Sequence, residues 1–278
     1  ANTQHLYYRE DVLKELGIPV PKTYEEVVAA SEKIRASGKM QHPYAAAYKA
    51  GWNLAEEFVN MFIGHGGEFF KAGTAEPNIN NAKGVATLNM LKKLASLSNP
   101  DYLTHDSEAI KVEWESGKVA LMTLWASRSG TLLDDEGDAK ITAATKLTGP
   151  ATVGGGNIPA ATLWWDGFTL AKNRSDSDAE ATFIALAHAA SNKKMVADAA
   201  DQAVWLVEGF VPGPKSIGVI EAVKMGAKPY PMLPQMGLMH GALGSEIVEF
   251  LQGKESAEQA LKDVEAAYIS KAKEQGFL

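Results

Sequence analysis

Apolar residues recur along much of this chain at the three- and four-residue spacing of amphipathic helices, with short β-prone runs between them. The clearest stripe is the last, Ala260, Leu261, Val264, Ala267 and Tyr268. It follows Ser256 and Gln259, a pair arranged as a capping box. A second box, Thr23 with Glu26, opens a stripe of Tyr24, Val27, Val28 and Ile34 that stops at Gly38. Before it, Gln4–Tyr8 is a short β-prone run leading into a helix over Asp11–Leu16, ended by Gly17, Pro19 and Pro21.

The same spacing predicts further helices at about 53–64, 82–98, 106–116, 178–190, 193–204, 215–225, 244–252 and 256–275. Strands are predicted at about 43–48, 118–124, 140–146 and 165–171. Many helices with scattered strands read as an α/β fold in layers. A chain of 278 residues favours two compact lobes. Prolines at Pro212–Pro214 and Pro229–Pro234 mark changes of chain direction and candidate crossings between lobes.

Composition narrows the chemistry. Hydrophobic residues make up 46% and charged residues 22%, enough apolar material for buried cores. The net charge of −7 argues against nucleic acid as a partner, which would call for a basic stripe. The chain contains no cysteine, which removes disulfides and thiolate chemistry. Its apolar runs fall short of the roughly 18–20 residues needed to span a bilayer, and no basic-then-apolar leader precedes the first run.

Signatures of catalysis are also lacking. The histidines at 5, 42, 65, 105, 188 and 240 have no zinc-site spacing, so no metal is expected. There is no Gly-x-Ser-x-Gly elbow and no phosphate loop, and Gly154–Gly156 is a flexible turn rather than a dinucleotide fingerprint. The Asp134–Asp135 pair reads as solvated. No cofactor is implied, and a binding protein is favoured over an enzyme. A pair of opposed carboxyls, as in a carbohydrate-active enzyme, stays open as an alternative.

What remains are tryptophans placed beside small and polar residues: Gly51-Trp52-Asn53, Leu124-Trp125-Ala126-Ser127-Arg128 and Leu163-Trp164-Trp165-Asp166-Gly167. An indole face covers the C–H face of a sugar while neighbouring polar groups fix its hydroxyls. Trp52 would be a stacking platform, with Asn53 or Glu56 taking hydroxyls. Trp125 and Arg128 follow the buried run Val119–Leu124, where α/β sheets present ligands. Arg128 would fork onto adjacent hydroxyls, or pair with Asp134 or Asp135. Asp166 would accept two hydroxyls, or else cap the bend at Gly167. Only one of Trp164 and Trp165 faces a ligand if the backbone is extended, and Trp165 is taken as that one. Trp114 and Trp205 fall in helical runs and read as core, and Met232, Met236 and Met239 as gap fillers.

The phrase from Leu6 to Ile18, followed by Pro21-Lys22-Thr23-Tyr24-Glu25-Glu26, resembles the family 1 extracellular solute-binding proteins, the sugar receptors of bacterial ABC importers. Further phrases follow in family order. These are Gly66-Gly67, Glu115 to Met122 before a tryptophan, Gly167 to Ala171, Val211 to Ser216, and Gln259 to Asp263. The resemblance implies a periplasmic-binding-protein type II fold, with two lobes closing on a hinge. Residues 1 to about 160 and 229–278 would form the second lobe. Residues 161–228 would belong to the first, whose opening portion of roughly a hundred residues would precede this chain.

The resemblance further implies sugar contacts in the loop of Trp52, at Trp125 and at His240, where some relatives present an aromatic. A helix-start histidine without ligand is the alternative for His240. The implied role is capture of a sugar or polyol by a monomer and its delivery to membrane permease subunits, in the periplasm or as an extracellular lipoprotein. An amino-acid or polyamine receptor is the rival, though such receptors need fixed charges to meet those of the ligand.

Overall fold

The computed structural model describes residues 1–134 and 137–278. Its main sheet is built from β1 (Gln4–Arg9), β2 (Tyr44–Ala45), β3 (Leu121–Trp125) and β4 (Thr145–Leu147), in the order β2-β3-β1-β4. β1 runs antiparallel to both β3 and β4, so Tyr7 faces Met122 on one side and Leu147 on the other. β2 lies parallel to β3, with Tyr44 opposite Leu121.

Alternation along these strands sends side chains into two different cores. Leu6, Tyr44, Ala46, Tyr48 and Leu121 join the larger one, packed by helices Tyr24–Ala36, Trp52–Gly64, Ala82–Ala95, Met236–Leu251 and Ala257–Glu274. Tyr7, Ala45, Ala47, Met122 and Leu124 turn to the other face, where Ile110, Trp114 and Leu132 cover them. A strand buried on both faces reads as a near-continuous apolar run, as Val119–Leu124 does with Thr123 its one polar residue. Trp114 is fully buried, as expected, because its indole N–H donates to Thr145 Oγ1 at 3.0 Å.

Helices begin where the side chains can cap them. Thr23 and Glu26 make both bonds of the expected box, with Glu26 N–H donating to Thr23 Oγ1 at 3.1 Å. Asp138 caps Lys140 and Ile141, and residues Ala139–Ala144 are therefore helical where a strand over 140–146 is predicted; only Thr145–Leu147 pairs. The helix predicted from 244 starts at Met236. Gly244 in this helix is a packing residue: a Cβ there would lie 2.4 Å from the Gly51 carbonyl oxygen. That close approach lets Gly51 N–H donate to Gly244 O at 3.0 Å and holds the start of the Trp52–Gly64 helix in place. Gly244→Ala is expected to cost about 1–3 kcal/mol by overpacking. Urea unfolding checks this, and an unchanged midpoint would contradict it.

No strand forms over 165–171. The ladder is instead made just before it, by β5 (Thr162–Leu163) parallel to β6 (Lys228–Pro229). Beyond β5 the chain packs loosely. Trp165, Phe168 and Leu170 are exposed, as are Phe183 and Ile184 of the Asp176–Ser191 helix, none of whose residues is buried. The helix predicted over 193–204 ends at Asp198. Trp205 therefore lies outside any helix, half-buried, with its indole N–H donating to Ala199 O at 2.9 Å. Met236 and Met239 are core residues as expected, but Met232 is exposed on the proline-rich turn. Among the described residues, no helix is long and apolar enough to cross a membrane.

Candidate functional site

Three element ends converge on one open groove. Gly51, at φ 99 and ψ −135, takes a conformation that glycine adopts without strain, and so places Trp52 at the first position of its helix. β3 ends at Trp125. Trp164 follows β5 and is tied to Asn2 by two backbone hydrogen bonds of 2.7 and 2.8 Å. The three indoles form a near-equilateral cluster. Centroid distances are 6.2 Å for Trp52–Trp125, 6.0 Å for Trp52–Trp164 and 6.1 Å for Trp125–Trp164.

The cluster lines a groove of about 320 Å³ together with Asn2, Asn53, Ser107, Ser127, Arg128 and Asp166. Its size suits a small ligand, and indole faces beside amide, hydroxyl and guanidinium groups suit one bearing hydroxyls. The Arg128 guanidinium pairs with Glu108, so its charge is already met. The partners expected for Arg128 are Asp134 or Asp135, of which Asp135 lies outside the described residues. Asn2 holds the rim, its amide N–H donating to Ser127 Oγ at 3.3 Å and its carbonyl oxygen accepting from Ser127 N–H at 3.1 Å.

Behind the indoles lies a second row. The His240 ring lies tilted against Trp52 at a centroid distance of 5.0 Å, and Tyr230 against Trp164 at 4.4 Å. The Trp52 carbonyl can only accept, so His240 Nε2 carries the hydrogen of their 3.0 Å bond. Nδ1 is then free to accept from the Tyr230 hydroxyl at 3.0 Å. Burial lowers the histidine's pKa, against the smaller opposing effect of the Trp52 carbonyl, and this neutral tautomer follows from both bonds.

The sequence-predicted residues divide accordingly. Trp52, Asn53, Trp125, Arg128 and Asp166 come together on the groove. Three do not reach it. Glu56 is fully buried behind the wall, accepting from Trp164 Nε1 at 3.2 Å, because every residue from Leu54 to Gly64 of its helix is buried. Trp165 points to solvent, 61% exposed, and Trp164 takes the place expected of it. His240 sits inside its helix, 5% exposed, and supports Trp52 from behind instead of starting the helix. Sequence reasoning missed Asn2, Ser107, Ser127 and Tyr230. The last was hidden between Pro229 and Pro231, in a stretch read only as punctuation.

Further hollows lie among the described residues. One of about 290 Å³ adjoins the groove through Asn2, Ser127 and Asp166 and is closed by Phe168 and residues 200–206. A larger one of about 820 Å³ lies between Phe69, Phe70, Pro231, Leu233 and Phe277. The first sets one indole, Trp205, beside polar side chains and the second has none, so neither has the three-indole wall of the groove. Among the described residues, no group of histidine and carboxylate side chains has the arrangement to hold a metal ion.

Comparison with known proteins places this geometry in context. The family model described as bacterial extracellular solute-binding protein matches residues 1–194. A relative from Deinococcus radiodurans, described as "Probable ABC transporter-binding protein", is 30% identical over 176 residues, 60% of this chain and 40% of the relative. Another, from Sinorhizobium fredii, described as "Probable amino-acid ABC transporter periplasmic-binding protein", is 31% identical over 115 residues, 41% of this chain and 26% of its own length. The chain thus spans less than half of either relative.

Among solved structures, a maltose-bound MalE3 of T. maritima superposes with a TM-score of 0.79 at 18% identity, over 96% of this chain and 70% of that one. An ABC transporter solute-binding protein of Agrobacterium vitis with bound D-mannitol gives a TM-score of 0.75 at 17% identity, over 99% and 72%. Likeness at these identities establishes the fold, the type II periplasmic-binding-protein arrangement of α/β layers.

Proposed function

The chain belongs to the bacterial extracellular solute-binding protein family, and we propose that in this role it captures an uncharged polyhydroxy solute, a sugar or polyol, against the Trp52–Trp125–Trp164 wall. The single observation that carries this reading is the clustering of three indoles from distant parts of the chain on one groove with hydroxyl-binding side chains. Asn53, Ser107, Ser127 and Arg128 would orient hydroxyls, and Asp166 would accept from two of them. The solute is held and released unchanged; no reaction is assigned to the groove. The maltose and D-mannitol bound in the structural neighbours are of this chemical class.

The lobe division expected from the sequence belongs to the same proposal. Residues 1–160 and 229–278 would form one lobe, and 161–228 would be part of the other, which fits the exposed apolar side chains Phe168, Phe183 and Ile184. Closure of the two over a solute, outside the cytoplasmic membrane, would present the loaded form to a permease. A solute drives closure only by binding the closed state better than the open one.

An amino-acid receptor is the second reading, favoured by the description of the Sinorhizobium fredii relative. Against it stands the pairing of Arg128 with Glu108, which leaves the guanidinium a poor anchor for a carboxylate. A thermal-shift panel of maltose, D-mannitol, ribitol, L-glutamate and putrescine separates the two. A cognate compound at 100 times its Kd adds about 2.7 kcal/mol of stability. Stabilisation by a saccharide or polyol is expected; stabilisation by the charged compounds alone would overturn the assignment. Release of reducing sugar from a bound glycoside would move the protein among the enzymes.

A further inference from the structure

Glu56 is fully buried behind the aromatic wall, and its surroundings fix its protonation state by hydrogen counting. Asn60 Oδ1 accepts from Thr162 N–H at 2.7 Å, which sets the orientation of the Asn60 amide, since its NH₂ group cannot face an N–H. Thr162 Oγ1 then lies 2.7 Å from Asn60 Oδ1 and also 2.7 Å from Glu56 Oε1. A hydroxyl has one hydrogen and cannot donate to both oxygens. The indole N–H of Trp164, 2.8 Å from Thr162 Oγ1 and 3.2 Å from Glu56 Oε1, points into the same knot and supplies its own hydrogen only.

One more hydrogen completes the network, and a carboxylic acid supplies it. With the proton on Glu56 Oε1, the acid donates to Thr162 Oγ1, Thr162 donates to Asn60 Oδ1, and Trp164 donates to the second lone pair of Thr162. Every short contact is then a hydrogen bond. Without that proton, two bare oxygens face each other at 2.7 Å beside a buried charge.

The groups facing Glu56 agree. On its own helix the neighbour is Glu57, also buried, whose carboxyl is raised by burial. From the turn after β6 comes Tyr230, whose hydroxyl is pushed up by burial and by Glu56. Behind Tyr230 stands His240 of the Met236–Leu251 helix, lowered and neutral. Burial is the main cause that raises the Glu56 carboxyl to about 7, against the opposing hydrogen bonds from Thr162 and Trp164.

We propose that Glu56 is a positioning residue that acts as a protonated acid, its proton holding Thr162 and the Trp164 indole in the geometry of the aromatic wall. This deepens the capture reading, which supplies the purpose of that wall, but its test needs no ligand. Ionisation removes the acid's donor, draws the Thr162 and Trp164 hydrogens onto the carboxylate and leaves Asn60 Oδ1 with the Thr162 backbone N–H alone.

The test follows the indole N–H resonances of the ¹⁵N-labelled, ligand-free protein with pH, the Trp164 signal being assigned by its loss in Trp164→Phe. The expected result is a single step in the Trp164 signal between about pH 6 and pH 8, well above the ordinary carboxylate range. The ¹³C signal of the Glu56 carboxyl should move with it. Glu56→Gln abolishes the step, and Glu57→Gln retains one. A flat wild-type Trp164 signal, a Glu56 carboxyl that titrates below about pH 5, or a step that survives Glu56→Gln would each overturn the proposal. The first two need no variant to fold. A compound panel in which no sugar or polyol binds would defeat the capture reading and leave this step in place.

Discussion

Trp52→Ala is expected to weaken binding of the sugar or polyol by roughly thirtyfold, about 2 kcal/mol, while leaving the fold intact. Trp52 is the hub of the wall, in ring contact with Trp125, Trp164 and His240. Its side chain is 49% exposed, so truncation removes a contact surface without opening a large cavity in either core. Trp114→Ala is the contrasting case. That ring is fully buried with its N–H bonded to Thr145, and its loss should cost about 3–5 kcal/mol of stability instead. Titration calorimetry and urea unfolding of the two variants separate the effects. Trp52→Ala with wild-type affinity would remove the wall from the binding account.

Glu57→Gln is expected to stabilise the protein at pH 8 and change little at pH 4. Glu57 is 4% exposed, and burial together with the adjacent Glu56 raises its carboxyl from an ordinary 4.5 to about 8. Between those values the folded chain keeps a proton that the unfolded chain has released. Stability therefore falls as pH rises from about 4.5 towards 8 and levels off once the folded carboxyl ionises. The glutamine analogue has no such proton to lose. Its gain at pH 8 is on the order of a few kcal/mol, since one pKa unit corresponds to about 1.4 kcal/mol. Urea unfolding across pH 4.5–8.5 measures the slope, and identical slopes for the two proteins would contradict the buried neutral acid.

How far the site could be read from sequence depended on how locally each position is determined. Trp125 was legible because a buried apolar run ends there, and Trp52 because a glycine and a helix start flank it. The capping box of Thr23 and Glu26 and the stripe of the last helix are likewise local and appear as expected. The choice between Trp164 and Trp165 was not local. Asn2 fixes the backbone from the far end of the chain, and Thr162 and Glu56 fix the indole.

Glu56 misled for a related reason. Four residues after Trp52, it belongs on the same helix face, but that helix is buried almost all round and has no polar face to give it. The strand expected over 165–171 failed because β-prone residues form a strand only where a partner strand lies alongside, and β6 pairs two residues earlier, at Thr162–Leu163.

The most direct test of the central claim is a crystal structure of the protein with the uncharged saccharide or polyol that most raises its melting temperature. The account predicts ligand density stacked on the Trp52–Trp125–Trp164 cluster, with hydroxyls within hydrogen-bond distance of Asn53, Arg128 or Asp166. Density confined to the hollow beside Trp205 or to the one between Phe69 and Phe277, with the indole groove empty, would contradict it.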